Sequence, residues 1–147
     1  MIVFIIGVSG CGKSTIAKML SEATGIPYFD ADDFHSKANV DKMSRGQALT
    51  DADRASWLET LSDHVQKWDK ENGAILACSA LKEKYRMILS KNLKNCTWVF
   101  LSGSFDLIHG RMKERKDHYM RAELLQSQFD ALEVPDYGIH VDITETP

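Results

Sequence analysis

With 147 residues, 44% of them hydrophobic, the chain can bury one real core but has little room for a second independent domain. Its 18 Lys and Arg against 21 Asp and Glu leave a formal charge of −3, without the broad basic excess of a protein that coats nucleic acid. The three cysteines, Cys11, Cys78 and Cys96, lack the close pairing of a zinc site or a secreted disulfide scaffold, which favours reduced thiols in the cytoplasm.

Residues 2–6 are continuously apolar and read as a buried first strand, since they carry no basic leader and run within one turn into Lys13. They are neither a membrane span nor a signal peptide. A Gly/Ser turn leads into a helix over Lys13–Ala23, where Ile16, Ala17 and Leu20 share a face. The apolar run Pro27–Phe29 delivers Asp30, Asp32 and Asp33 at its end. Thr50 and Asp53 have capping-box spacing at the head of a long helix whose Leu58, Leu61, Val65 and Trp68 recur at helical intervals.

The run AILAC, 74–78, has the length of a buried parallel strand, with Ser79 placed to cap a helix containing Leu81, Tyr85, Ile88 and Leu89. A second such unit follows, with a strand TWVFL at 97–101 and a helix that starts at Ser104 and includes Phe105, Ile108 and Met112. Residues 113–121, KERKDHYMR, are too charged for a core strand, and Leu124, Leu125, Phe129 and Leu132 then resume an apolar face. That arrangement fits a small lid between helices. IHVDI at 139–143 reads as the last strand, and Thr146–Pro147 spell the start of a closing helix that the sequence does not continue.

Alternating strands and helices without repeats predict a single α/β domain over 1–147, with a mainly parallel sheet flanked by helices. Ligands of such a sheet meet the carboxyl ends of its strands.

The strongest chemical signal is Gly7-Val8-Ser9-Gly10-Cys11-Gly12-Lys13-Ser14, which matches the phosphate-loop pattern G-x-x-x-x-G-K-[ST] and lies between a strand and a helix. Its glycines let backbone N–H groups turn inward, and the following helix N-terminus adds unpaired donors for nucleotide phosphates. Lys13 neutralises the β/γ-phosphates, Ser14 offers a hydroxyl to Mg²⁺, and Thr15 supports the first helical turn or a neighbouring phosphate oxygen. The motif alone does not separate a small-molecule kinase from a GTPase or a motor. No N-K-x-D guanine-reading motif is present, and a short lid-bearing chain suits soluble phosphotransfer from ATP.

Together with that loop, YFDADDFH (28–35), NVDKM (39–43), LTDADRASWL (49–58), CSALKEKYR (78–86) and LSGSFDLIHGRMKERKDHY (101–119) resemble the gluconate kinase, or gluconokinase, family over nearly the whole chain. The resemblance implies a P-loop NTPase fold of the nucleoside-monophosphate-kinase-like form, MgATP as phosphoryl donor, D-gluconate as acceptor and 6-phosphogluconate as product. It also implies a homodimer. Three departures stand out: Cys11 replaces a frequent serine, Tyr119 a frequent phenylalanine, and the C-terminal helix is absent.

Physical reading of the acceptor side is compatible with that expectation. Asp30 is placed to bind or orient Mg²⁺ through water, Asp32 to orient or deprotonate the acceptor hydroxyl, and Asp33 to share either role. His35 either bonds substrate hydroxyls or serves as a satisfied structural histidine. Arg54, Lys82 and Arg86 are the candidates for an anionic acceptor, with surface ion pairs as the plain alternative. Ser79 combines capping with a position at the ligand crevice, while Cys78 reads as a buried small residue. In the lid segment and just before it, Arg111 and Arg115 can approach the transferring phosphate or the ATP phosphates, where guanidinium stabilises charge spread over oxygen. His118 and Arg121 either assist closure and substrate contact or are simply solvated. A shikimate kinase or another small-acid kinase is the enzyme alternative, and a MgATP-dependent binding or regulatory protein is the non-enzymatic one.

Overall fold

The computed structural model describes residues 1–47, 49–113 and 122–144. Five strands, β1 (Ile2–Ile6), β2 (Tyr28–Asp30), β3 (Ala74–Ala77), β4 (Thr97–Ser102) and β5 (Ile139–Asp142), form one sheet in the order β2-β3-β1-β4-β5. Every pairing is parallel. Six helices accompany them among the described residues: α1 (Lys13–Thr24), α2 (Lys37–Ser44), α3 (Asp51–Lys70), α4 (Glu83–Ser90), α5 (Phe105–Lys113) and α6 (Ala122–Ala131).

The continuous apolar character of β1 follows from its place at the centre of a sheet covered on both faces. Side chains alternate across a strand, so Ile2, Phe4 and Ile6 pack with Leu58, Leu61 and Val65 of α3 and Tyr85 and Leu89 of α4. Val3 and Ile5 face the other way, toward Ala17 of α1, Ile108 and Met112 of α5 and Leu125 of α6. The two cores clamp β1 from both sides, and the loop that leaves it inherits that rigidity.

The capping box at the head of α3 forms as its spacing predicts. Asp53 N–H donates to Thr50 Oγ1 at 3.1 Å, and Thr50 N–H donates to Asp53 Oδ2 at 2.8 Å. Ser104 likewise caps α5, accepting from the Leu107 N–H at 3.2 Å.

One local expectation fails, and one helix was not expected. Ser79 does not cap α4, which begins four residues later at Glu83 behind a Lys82 that makes no side-chain cap bond. The chain leaves β3 through Ala80 at φ 39°, a left-handed conformation that cannot belong to the first turn of a right-handed helix. Glu133 supplies the missing cap by accepting from the Glu83 N–H at 2.7 Å, and its own N–H donates to the Leu81 carbonyl. The unexpected helix is α2, which the sequence pattern does not announce because Asn39 is its only buried residue. Ser36 caps it by accepting from the Asn39 N–H at 3.2 Å.

The strand carboxyl ends gather the chemistry on one edge of the sheet: β1 runs into the phosphate loop, β2 into the 3₁₀ turn Ala31–Phe34, and β3 into Cys78–Ser79. Of the charged segment expected as a lid over 113–121, residues 114–121 lie outside the described residues, as do Thr146 and Pro147. No helix among the described residues is long and apolar enough to cross a membrane.

Candidate active site

The phosphate loop joins β1 to α1 as its motif requires. Gly12 occupies the N-cap of α1 at φ 98°, and no side chain caps the helix, so its first N–H groups stay open toward an anion. Gly10, at φ 80°, passes so close to α5 that a Cβ there would fall 2.6 Å from Met112 Cγ. Val8 and Cys11 bury their side chains in the core and can offer a ligand only backbone. Lys13 folds back over the loop, its Nζ donating to the Gly7 carbonyl at 3.1 Å and the Val8 carbonyl at 3.0 Å. The ammonium is therefore parked within the loop it serves.

Across the loop, Ser14 Oγ donates to Asp30 Oδ2 at 3.0 Å, while Asp30 Oδ1 accepts from the Asp32 N–H at 2.9 Å. One hydroxyl and one carboxylate, both hard oxygen donors held side by side, suit Mg²⁺ that brings its remaining ligands as water and phosphate oxygens. No cluster of three His, Cys, Asp or Glu stands ready for a metal among the described residues.

Beside this pair lies a cleft whose wall includes Ser9, Asp32, His35, Arg54, Ser79 and Gln128. The 3₁₀ turn after β2 carries Asp32 into it. The Asp32 side chain keeps a 69% exposed face. Even so, burial against the cleft wall and then the charge of Asp30 push its carboxyl above the usual range, with Lys13 pulling the other way and Asp33 adding to the rise. Such a carboxylate binds a proton more readily than a free aspartate does.

The His35 side chain is only 3% exposed and lies flat on Trp57, ring centroids 4.0 Å apart. Burial, and secondarily the charge of Arg54, lower its pKa to about 4, so the ring is neutral near pH 7. Trp57 is itself fixed by a bond from Nε1 to the Ala31 carbonyl at 2.8 Å. Arg54 donates from Nη1 to the Leu49 carbonyl at 2.7 Å and to Tyr85 Oη at 3.3 Å.

Tyr85 in turn donates to Asp51, and both Lys82 and Lys84 pair with that carboxylate. The bonds from Lys84 and Tyr85 hold Asp51 down at about 2, so it stays ionised and fixes the Arg54–Tyr85–Lys82 group from outside the cleft. At the opposite wall, Gln128 of α6 accepts from the Ser9 N–H at 2.7 Å and donates to Ser9 Oγ at 3.0 Å.

Not every candidate reaches this cleft. Arg86 is 1% exposed, and its guanidinium is consumed by backbone carbonyls: Ala80 at 2.9 Å, Leu81 at 3.2 Å and Glu133 at 2.5 Å. The expectation that it binds an anionic acceptor is corrected by this geometry: three of its five N–H donors are held by backbone carbonyls, and the side chain is buried away from the cleft wall. Arg86→Met should lower unfolding free energy by about 3 kcal/mol, because it leaves buried carbonyls unpaired. In urea denaturation that loss is the expected result, with acceptor KM changed only a few-fold. Unchanged stability with a KM raised a hundredfold would restore the ligand role.

Arg111 donates to the Ile143 carbonyl at 2.6 Å, tying α5 to the segment after β5. Asp33 is exposed, and Arg115, His118 and Arg121 lie outside the described residues. Cys78 is fully buried, and its thiol is pushed up to about 12 by burial and then by Asp32, which leaves no thiolate for nucleophilic work.

Sequence reasoning passed over Trp57, Asn39, Tyr85 with Asp51, and Gln128 as parts of the site. Tyr85 fits an apolar helical stripe and looks fully explained by it, and Trp57 enters only within the run LTDADRASWL. Asn39 and Gln128 carried no local signal.

Loop, hydroxyl–carboxylate pair and adjoining polar cleft define a P-loop phosphotransferase that acts on a small molecule. The shikimate kinase family model matches residues 9–133. A gluconokinase from Arabidopsis thaliana is 43% identical over 92% of this chain and 79% of its own. The crystal structure of a gluconokinase from Sinorhizobium meliloti 1021 superposes with a TM-score of 0.89 at 35% identity, covering 97% of this chain and 82% of that one. Shikimate kinase from Aquifex aeolicus, at 22% identity and a TM-score of 0.65 over 99% of this chain and 88% of its own, shares the fold. The chain belongs to the gluconokinase family, within the P-loop kinase fold that shikimate kinases also adopt, and is an enzyme of that type.

Proposed function

We propose that the protein transfers the terminal phosphoryl group of MgATP to the 6-hydroxyl of D-gluconate, giving 6-phospho-D-gluconate and ADP. The observation that carries this reading is the meeting of Asp32, His35 and Arg54 in one cleft directly beside the phosphate loop. The gluconokinase relatives support the acceptor's identity.

In this mechanism Lys13 leaves the Gly7 and Val8 carbonyls and takes up the β/γ-phosphates, while the backbone of 7–14 and Thr15 cradle them. Ser14 and Asp30 would hold Mg²⁺, which supplies charge neutralisation on the phosphate oxygens when bound. Asp32 orients the 6-hydroxyl and accepts its proton as the new O–P bond forms and the bond to the β,γ-bridging oxygen breaks. His35 and Ser79 bond the polyol, and Arg54 with Lys82 receives the gluconate carboxylate. Arg111 releases the Ile143 carbonyl to join Arg115 at the phosphates, and His118 bonds the acceptor. The enzyme works as a homodimer in the cytoplasm.

A mass-resolved assay against a panel of sugar acids tests the assignment. Gluconate is expected to gain one phosphoryl group at its terminal hydroxyl, with shikimate and neutral glucose poor under matched MgATP. A ring in place of the open polyol misplaces the reacting oxygen, and an error of roughly 1 Å can cost about a hundredfold in rate. Efficient phosphorylation of shikimate with none of gluconate would overturn the assignment.

A further inference from the structure

Asn39 lies behind the acceptor cleft, does not line it, and is 6% exposed. Buried amides are expensive unless every hydrogen has a partner, so its partners report what it does. Asn39 Nδ2 donates to the Asp53 carbonyl at 2.9 Å and meets His35 Nδ1 at 3.3 Å. A carbonyl oxygen only accepts, so the Asp53 bond fixes which end of the amide carries hydrogen. The second hydrogen of that same nitrogen is left for His35 Nδ1.

A ring nitrogen that accepts has no proton, and the neutral imidazole then carries its proton on Nε2. His35 Nε2 lies 3.7 Å from Asp32 Oδ1, at the cleft. Stacking on Trp57 prevents the ring from turning away, and the low pKa of His35, about 4, keeps it from taking a second proton near neutral pH. Asp53, the anchor, is itself immobilised by the capping box and by Lys42 at 2.6 Å.

From this chain of contacts we infer that Asn39 is a positioning residue for phosphoryl transfer: it locks His35 as the Nε2–H tautomer and aims that N–H at the acceptor-hydroxyl site beside Asp32. The inference rests on the reading of Asp32 as the group that orients the acceptor. Chemically, the locked tautomer divides the labour at one hydroxyl. His35 Nε2–H donates to the oxygen, Asp32 accepts the hydroxyl proton, and a remaining lone pair is turned toward the phosphorus. The opposite tautomer would present two acceptors to one proton and no donor to the oxygen, leaving that lone pair unaligned. An imidazolium would instead pair with Asp32 and weaken it as a proton acceptor.

The test uses Asn39→Asp, which keeps the shape but replaces the donor by an acceptor, with Asn39→Ala as a second variant that removes the donor alone. His35 ¹⁵N resonances of the intact protein report the tautomer, and kcat and both KM values are read with the acid that the panel identifies as phosphorylated. Wild type is expected to show a bare Nδ1, and Asn39→Asp a protonated one. Turnover should fall about tenfold to a hundredfold with the ATP KM unchanged, the scale on which orienting partners and tautomer errors act.

In a His35→Gln background the same Asn39 substitutions should add less than about twofold, because the residue they act through is gone. Equal losses in both backgrounds would make Asn39 merely structural, and a wild-type ring protonated at Nδ1 would overturn the inference outright. Full turnover by Asp32→Asn would remove the acceptor-site reading instead, a failure visible separately from the tautomer.

Discussion

Lys13→Ala is expected to lower kcat by about a thousandfold, the upper range for losing one preorganised donor to a developing phosphoryl charge. In the free protein the Lys13 ammonium rests on the Gly7 and Val8 carbonyls, within the loop itself, so its removal takes away the one cation that the phosphate loop carries. The variant should fold, because the substitution removes an ammonium's bonds to two loop carbonyls and leaves both halves of the core packed as before. Ser14→Ala should act differently, raising the Mg²⁺ concentration needed for half-maximal rate, since Asp30 keeps its place through the Asp32 N–H. Rapid-quench measurement of product at saturating MgATP separates the two. Near-wild-type product formation by folded Lys13→Ala would remove the proposed mechanism at its root.

Asp32→Asn should reduce turnover by about a hundredfold to ten-thousandfold while leaving ATP affinity within a few-fold. The substitution keeps the volume and the backbone N–H that binds Asp30, while the group facing the acceptor loses its charge and can no longer take a proton. Single-turnover kinetics with nucleotide titration by fluorescence would check both halves. Unchanged turnover in a protein with unchanged folding and nucleotide affinity would exclude Asp32 as base or orienter and shift attention to Asp33 or to direct solvent.

Where the physics is local, the sequence was readable. The apolar β1, the phosphate loop and the Thr50–Asp53 box each depend on residues within a few positions of one another, and each forms as its spacing predicts. Asp32, His35 and Ser79 follow strand ends and so share one cleft, which Arg54, offered for its charge, enters from α3. The misreadings have distant causes. Glu133, fifty residues beyond Glu83, caps α4 and helps consume Arg86, so neither the helix start nor the fate of that guanidinium could be read from the segment that contains them. Asn39 is illegible for a similar reason. A short polar helix with one inward amide has no periodicity, and its meaning depends on a carbonyl of α3 and a ring nitrogen of the preceding turn.

The central position of β1 has a consequence for how the protein is born. The strand precedes both its partners in the chain, pairing Ile2 with Ala74 and Val3 with Thr97, so neither neighbour exists until some seventy or more further residues have been synthesised. At about 5–20 residues per second of translation, the apolar segment IVFII waits several seconds without a partner. Until then it is a short, uncharged, β-branched stretch with open edges, the kind that self-associates. Non-local parallel pairing also makes folding slow relative to a helical bundle of similar size. The phosphate loop can become rigid only when β3 and β4 have closed around β1, so nucleotide is recognised by the late folded state and by none of the nascent chains that precede it, and heavy expression at high temperature favours aggregates seeded by the very segment that later forms the centre of the sheet.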